Sequence, residues 1–201
     1  MNFYIYIAVI CLASYLFGCF STARIIAKTF RSMNIYKVGS GYADTENIFS
    51  NISKSLGILV GLIDIAKVYI ILWLLSYLHE YLGYSNITLT KNITLFIFGF
   101  FLILGHTLPV TNRFKGGRGL FSYTGLMLFF IPIPMLAVLT LSFILVMFFK
   151  QIRFSNFLIV LLPPIIAFFV NTDHDLNVIM AITAFLMGVL NFIVCKRLGE
   201  L

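Results

Sequence analysis

The chain has 201 residues, of which 61% are hydrophobic and 10% are charged, and its formal net charge is +7. A soluble domain of this size could not bury so much apolar surface, so the composition excludes a soluble globular protein. The positive charge lies in short segments beside apolar runs, a pattern typical of membrane topology rather than of nucleic-acid binding. We therefore expect one integral membrane domain over residues 1–201, surrounded by membrane lipid.

Apolar stretches of the length that crosses a bilayer, about 20 residues as a helix, recur along the chain. The first, residues 3–27, is predicted as a transmembrane helix and not as a signal peptide, because no cleavage site follows a basic start. Proline breaks helices, so Pro132 and Pro134 should divide the run 120–149 into two. The other predicted spans are residues 56–78, 93–110, 154–170 and 176–195.

The positions of lysine and arginine favour seven spans over six. With seven spans and an outside N-terminus, most of the 14 basic residues fall on one side, as in cytoplasmic loops. With six spans, the loop that carries Lys150 and Arg153 would lie opposite the basic C-terminal end. The sequence thus predicts an all-α membrane protein with seven transmembrane helices and a cytoplasmic C-terminus.

Residues 112–119, with the sequence NRFKGGRG, gather cations and glycines between two apolar runs. The first N–H groups of a helix lack partners and carry partial positive charge, and glycines let successive amides turn toward one anion. Two interpretations stay open. The segment is either a loop that sets topology or a phosphate cradle, in which Lys115 and Arg118 supply charge and Gly116 and Gly117 allow close approach.

A second glycine turn, VGSG at residues 38–41, is predicted on the same side of the membrane. Ser40 can donate a hydroxyl hydrogen bond, and Gly39 and Gly41 permit a ligand to approach the backbone. Such a triplet is by itself an ordinary turn. Two turns of this kind facing one compartment favour a shared anion site.

Polar residues also lie within the predicted helices. Asp64 and Lys67 share one helix face, and each costs roughly 3 kcal/mol in hydrocarbon, so we expect them to pair. The pair is either structural or the polar floor of a site, with Lys67 facing a phosphate or carboxylate. His106 is either a satisfied core residue or a proton-transfer group. Asn191 either binds substrate or donates a hydrogen bond between helices.

Four motifs occur in order: YLFGCFSTA in the first helix, VGSGYADTENIFS in the long loop, DIAK in the second helix and LGHTLPVTNRFKGGRG further on. This series resembles the bacterial PlsY family, the acyl-phosphate:glycerol-3-phosphate acyltransferases, over nearly the whole chain. The resemblance implies seven helices in the bacterial inner membrane and an active site facing the cytoplasm. It implies acyl transfer from acyl phosphate to the 1-hydroxyl of glycerol 3-phosphate, giving lysophosphatidic acid without a metal, coenzyme A or another cofactor.

The resemblance and the residue patterns together suggest the site, and we expect the chain to act as a monomer. Catalytic roles are expected for Ser40, Lys115 and His106. Substrate binding is expected for Gly39, Gly41, Asn47, Asp64, Lys67, Gly116, Gly117, Arg118 and Asn191.

The chain departs from the family pattern at several polar positions. Two acids enter a loop that should hold anions, and an arginine suited to bidentate phosphate binding is absent there. An acyltransferase, weakened or with another acceptor, remains the favoured function. A non-catalytic paralogue that binds lipid or a membrane partner stays open, and a transporter is disfavoured because no repeated halves occur. The replacements are Tyr42 for asparagine, Asp44 for glycine, Glu46 for threonine and Ser50 for arginine, and Leu190, Asn191 and Val194 for an R-H-x-x-N cluster.

Overall fold

The computed structural model describes residues 3–83, 91–170 and 173–198. Within these ranges the chain folds into nine α-helices joined by short turns, two of which are 3₁₀ turns at Ile35–Lys37 and Val110–Asn112. The helices are α1 (Phe3–Gly18), α2 (Thr22–Arg31), α3 (Thr45–Asn51), α4 (Lys54–Tyr81), α5 (Lys91–Thr107), α6 (Leu120–Phe130), α7 (Pro132–Phe149), α8 (Ile152–Val170) and α9 (His174–Leu198).

The multi-span helical architecture is confirmed. Helix α6 is apolar but has 11 residues, about 16 Å of helix and so about half of the hydrocarbon thickness. The count of seven spans and the orientation of the termini therefore stay predictions. Six segments of the described chain are long and apolar enough to cross a membrane: Phe3–Arg31, Lys54–Tyr81, Lys91–Asn112, Pro132–Phe149, Ile152–Val170 and His174–Val194.

The first apolar run contains a break that the prediction of one helix over residues 3–27 missed. Helix α1 ends at Gly18, and α2 begins after Ser21, whose Oγ accepts the Arg24 amide at 3.3 Å as an N-cap. Serine is among the preferred N-cap residues, but the apolar pattern continues through it and hides the signal. The predicted division at Pro132 is confirmed, because α7 begins with this proline where its missing N–H costs nothing.

Much of the long polar connection predicted over residues 28–55 forms local structure. Helix α3 is capped by Asp44, whose Oδ1 accepts the Asn47 amide at 3.0 Å. A small hydrophobic cluster joins this segment to α2 and to the first turns of α4, so the segment packs over one end of the bundle. The buried members of this cluster are Ala23, Ile26, Ala27, Ile35, Ala43, Ile48 and Val60.

Helices α1 and α5 approach closely because glycines meet where they pack. A Cβ placed on Gly105 would lie 2.0 Å from the carbonyl oxygen of Tyr15, and one on Gly18 would lie 2.1 Å from that of Leu102. Small residues allow such contact between helix backbones in membranes. The packing holds the end of α1 against the last turn of α5, where His106 is placed.

Candidate functional site

The two glycine turns lie against each other at one end of the bundle. The Ala43 amide donates to the carbonyl of Gly116 at 3.4 Å, and the Tyr36 hydroxyl donates to the carbonyl of Lys115 at 3.1 Å. A Cβ placed on Gly117 would lie 2.7 Å from the Ala43 carbonyl oxygen, closer than real atoms approach. Gly117 is therefore required for contact between the turns. The two turns lie close together in the structure, as the sequence suggested.

A hollow of about 370 Å³ opens between the two turns and the end of α9. This volume falls within the usual range of small-molecule pockets, roughly 300–1,000 Å³. Arg113 and Lys115 are exposed and form no ion pair with any other described residue, so they can receive an anion. The walls are formed by Tyr36, Gly41, Arg113, Phe114, Lys115, Gly116 and Val194.

The backbone beside Lys115 is strained. Arg113 and Phe114 have φ values of 52° and 59°, in the left-handed region that non-glycine residues rarely adopt. Each such residue costs roughly 1–2 kcal/mol. Strain of this kind clusters at functional sites, where the surrounding structure maintains it. The surroundings of the turn before Lys115 therefore hold it in a costly conformation.

Ser40 of the first turn and Asn47 of α3 differ in whether their side chains already have hydrogen-bond partners in the protein. The Ser40 Oγ is buried and has no hydrogen-bond partner among the described residues, a state that costs about 1–3 kcal/mol unless a ligand supplies the bond. Asn47 is 1% exposed, and its Nδ2 donates to the carbonyls of Val38 at 2.9 Å and Tyr42 at 2.8 Å. Its Oδ1 accepts from Asn51 at 3.0 Å. Asn47 therefore holds the shape of the turn, while the buried Ser40 hydroxyl still has a hydrogen bond to donate.

The predicted pair between Asp64 and Lys67 forms, with 3.0 Å between Oδ1 and Nζ. Asp64 also accepts the hydroxyl of Thr22 at 2.9 Å. The Lys67 ammonium lies 3.1 Å from Nδ1 of His106 and donates to the carbonyl of Phe20 at 3.2 Å. Since an ammonium only donates, Nδ1 must accept and the imidazole proton lies on Nε2. Lys67 is thus engaged by the protein, and a proton-transfer role for His106 stays a prediction.

Three of the departures from the family pattern converge on Arg118. Its Nε lies 2.7 Å from Asp44 Oδ2, and its Nη1 lies 3.0 Å from Glu46 Oε2. The guanidinium carbon lies 4.9 Å from the centre of the Tyr42 ring, and Asn156 of α8 donates to Glu46 Oε2 at 2.9 Å. Burial alone would lower the pKa of Arg118, but the two carboxylates outweigh it and raise that pKa. The acids thus bind the protein's own cation, a pairing that the sequence analysis missed.

One expectation about the site needs correction. The amides of Lys115 and Gly117 donate to the carbonyls of Asn112 at 3.0 Å and His106 at 3.3 Å, so the predicted cradle cannot use these two amides as the structure stands. Asn191 donates to the Met187 carbonyl at 2.9 Å, one turn back within α9. Substrate binding by Asn191 and a bond from it to a neighbouring helix both stay predictions.

The fold and the site define the class: a multi-span helical membrane protein with a cationic, glycine-lined hollow at one end of the bundle. Comparison with known proteins then identifies the family. The chain belongs to the glycerol-3-phosphate acyltransferase family, which it matches over residues 8–197. The resemblance drawn from the motifs is confirmed.

Relatives and solved structures agree with this assignment. The glycerol-3-phosphate acyltransferases of Staphylococcus aureus strains Newman and COL are each 32% identical over 150 residues, which cover 75% of this chain and 73% of the relative. The crystal structure of the integral membrane glycerol 3-phosphate acyltransferase PlsY (YgiH) in its glycerol 3-phosphate form aligns with a TM-score of 0.75. Its lysophosphatidic acid form aligns with a TM-score of 0.71. Both are 21% identical and cover 95% of this chain and 88% of theirs, which shows the fold.

Proposed function

We propose that this protein transfers a fatty acyl group from acyl phosphate to a hydroxyl of glycerol 3-phosphate, forming lysophosphatidic acid. The observation that carries the proposal is the meeting of the two glycine turns at a hollow lined by Lys115, which forms no ion pair within the described part of the chain. Family membership and the names of the relatives support the reaction class. We place the protein as a monomer in the bacterial cytoplasmic membrane, with this hollow on the cytoplasmic side.

The protein has to contribute little covalent chemistry to this reaction, because acyl phosphate is already activated. The hydroxyl oxygen forms a bond to the acyl carbon, and the carbon–oxygen bond to phosphate breaks with the electron pair leaving on phosphate. The departing phosphate takes up the proton of the hydroxyl. Catalysis then depends on orienting the hydroxyl and stabilising the developing charge. We assign Lys115 to the phosphate and the buried hydroxyl of Ser40 to the same substrate group.

Other members of the site would act by positioning. The Lys67–Asp64 pair holds His106 beside Gly117, and Gly117 keeps the two turns in contact. Phe114 and Val194 supply apolar surface to the hollow, where the start of an acyl chain can lie. The site therefore offers charge for the phosphate and apolar surface for the chain within one space.

The test is an assay of purified protein with palmitoyl phosphate and glycerol 3-phosphate, with lysophosphatidic acid as the measured product. Lys115→Ala should lower kcat/KM by about a hundredfold, as expected for loss of one charge-stabilising group. Lys28→Ala is the matched control, because Lys28 is an exposed cation of α2 that does not line the hollow. Product from palmitoyl-coenzyme A alone would contradict the proposed donor, and full activity of Lys115→Ala would contradict the proposed site.

A second function, non-catalytic binding of a phosphorylated lipid, is favoured by one observation. Arg118, which was predicted to bind substrate, is held by Asp44 and Glu46 instead. The site therefore has fewer free charges than the glycine–cation pattern suggests. Binding of palmitoyl phosphate without turnover, across a panel of hydroxyl acceptors, would identify this function and exclude the acyltransferase.

A further inference from the structure

The cluster at Arg118 has more negative charge than the cation can balance. Two carboxylates, those of Asp44 and Glu46, face a single guanidinium. The nearest other polar partner, Asn156, is neutral and donates to Glu46. One negative charge thus remains in excess beside the glycine turn. Without the two carboxylates, a phosphorylated substrate would meet the positive charge of Arg118 there.

The carboxylates also occupy the donors that Arg118 would use for phosphate. A guanidinium presents two edges for bidentate binding, one containing Nε and the other containing both terminal nitrogens. Asp44 engages Nε at 2.7 Å, and Glu46 engages Nη1 at 3.0 Å. The edge that contains Nε has therefore lost that donor to Asp44. A phosphate that approached the other edge would have to compete with Glu46 for Nη1.

Both carboxylates are themselves anchored. The second oxygen of Asp44 accepts the Asn47 amide and caps α3, and Glu46 is held from α8 by Asn156. The cluster also adjoins the site, because a Cβ on Gly117 would lie 2.9 Å from the Asp44 Cβ and 2.9 Å from the His106 Nε2. Gly117 thus separates the Arg118 cluster from the Lys67–His106 cluster by one residue.

We infer that Asp44 and Glu46 determine the affinity of this site for phosphorylated acceptors by serving as internal ligands of Arg118. They withhold Arg118 from the substrate phosphate, which binds instead at Lys115 and Arg113, two cations with no ion pair to another described residue. This inference rests on the proposed function only for the identity of the acceptor. The competition for Arg118 follows from the contacts alone and applies to any phosphate that enters the site.

The test compares wild type with Asp44→Asn/Glu46→Gln, a variant that changes charge with little change of shape. Asparagine caps a helix about as well as aspartate, and glutamine keeps an oxygen that can accept from Asn156. Calorimetric titration of the detergent-purified protein with glycerol 3-phosphate, and separately with inorganic phosphate, should show a Kd about tenfold lower in the variant. A factor of ten is the scale of one charge-assisted hydrogen bond, here from the released Arg118 guanidinium to the phosphate. In turnover, the KM for glycerol 3-phosphate should fall in parallel.

Glu80→Gln is the matched control. Glu80 is also a carboxylate in an ion pair, with Lys91, but it lies at the end of α4 remote from the glycine turns. Its replacement should leave both Kd values unchanged. A variant Asp44→Asn/Glu46→Gln with wild-type or weaker phosphate binding would overturn the inference.

A third variant tests whether the gain in phosphate affinity depends on Arg118. Adding Arg118→Gln to the double variant removes the cation without leaving an unpaired carboxylate, so it can fold even if Arg118 alone cannot be replaced. The tenfold gain should disappear. A triple variant that keeps the gain would refute the inference, because the released cation would not be the ligand. Tighter phosphate binding in the double variant without any turnover would reject the proposed function and uphold the inference.

Discussion

Gly117→Ala is the most direct perturbation of the contact between the two glycine turns. The added Cβ would lie 2.7 Å from the Ala43 carbonyl oxygen, 2.9 Å from the Asp44 Cβ and 2.9 Å from the His106 Nε2. Two of these three neighbours are backbone or atoms next to it, so they cannot rotate away as the end of a flexible side chain could. The substitution therefore has to separate the turns.

The size of the separation follows from ordinary van der Waals contact, which begins near 3.4 Å. Ala43 must move away by roughly 0.7 Å from the new methyl group, and crowding of this kind typically costs 1–3 kcal/mol of stability. A misplacement of about 1 Å in a catalytic site lowers the rate by about a hundredfold. We therefore expect kcat/KM to fall by about ten- to a hundredfold while the protein remains folded.

The assay is lysophosphatidic acid formation by protein whose folding is checked by its thermal midpoint in detergent. Gly188→Ala in α9 is the control, because a Cβ placed there meets no atom within 4 Å and should change neither measurement. A Gly117→Ala protein that is folded and has wild-type kcat/KM would show that contact between the turns does not position the reacting groups. The same result would remove the main support for a shared site.

Further substitutions probe the remaining groups. Lys67→Met leaves Asp64 buried without its counter-ion and should lower the free energy of unfolding by about 3 kcal/mol. A smaller loss in Asp64→Asn/Lys67→Met would confirm the pairing, and an unchanged thermal midpoint in Lys67→Met would contradict it. Ser40→Ala removes a buried hydroxyl that has no partner among the described residues, so the free energy of unfolding should rise by about 1 kcal/mol, while KM rises; an unchanged KM excludes Ser40 from the site. Asn47→Ala removes bonds to the turn and should cost about 2 kcal/mol, with faster hydrogen exchange over residues 38–47 and no change elsewhere. Lys115 should react with a membrane-impermeant amine reagent from the cytoplasmic side only, and labelling from outside would refute the topology.

The sequence predicted the parts of the fold that depend on strong local signals. Apolar length identified the membrane-spanning segments, and Pro132 marked the start of α7 because proline cannot continue the preceding helix. The break at Ser21 was missed, since the residues on both sides are apolar and a serine within such a run is not distinctive. The division at Pro132 also explains why α6 is short, with 11 helical residues, and whether it crosses the membrane stays a prediction.

Of the candidate site, the sequence predicted the two glycine turns and the Asp64–Lys67 pair, but not the partners of Arg118. Glycines at positions 39 and 41 have φ values of 54° and 75°, which explains why this turn could be recognised from its residues. The partners of Arg118 could not be recognised, because Asp44 lies 74 positions away and the pairing depends on the packing of separate elements. A cation retained in one turn and acids gained in the other is the signal that could have suggested the pair.

The acids at positions 44 and 46 therefore change which cations of the site are free to bind an anion. Lys67 is neutralised by Asp64, and Arg118 by two carboxylates, so neither adds net attraction for an anion. Arg113 and Lys115 remain unpaired with any described residue. Electrostatic energy falls with distance and solvent screening, so the phosphate should settle beside these exposed cations rather than deeper in the bundle. If so, the affinity of the site should fall with added salt more steeply than in a site whose phosphate is held by buried arginine.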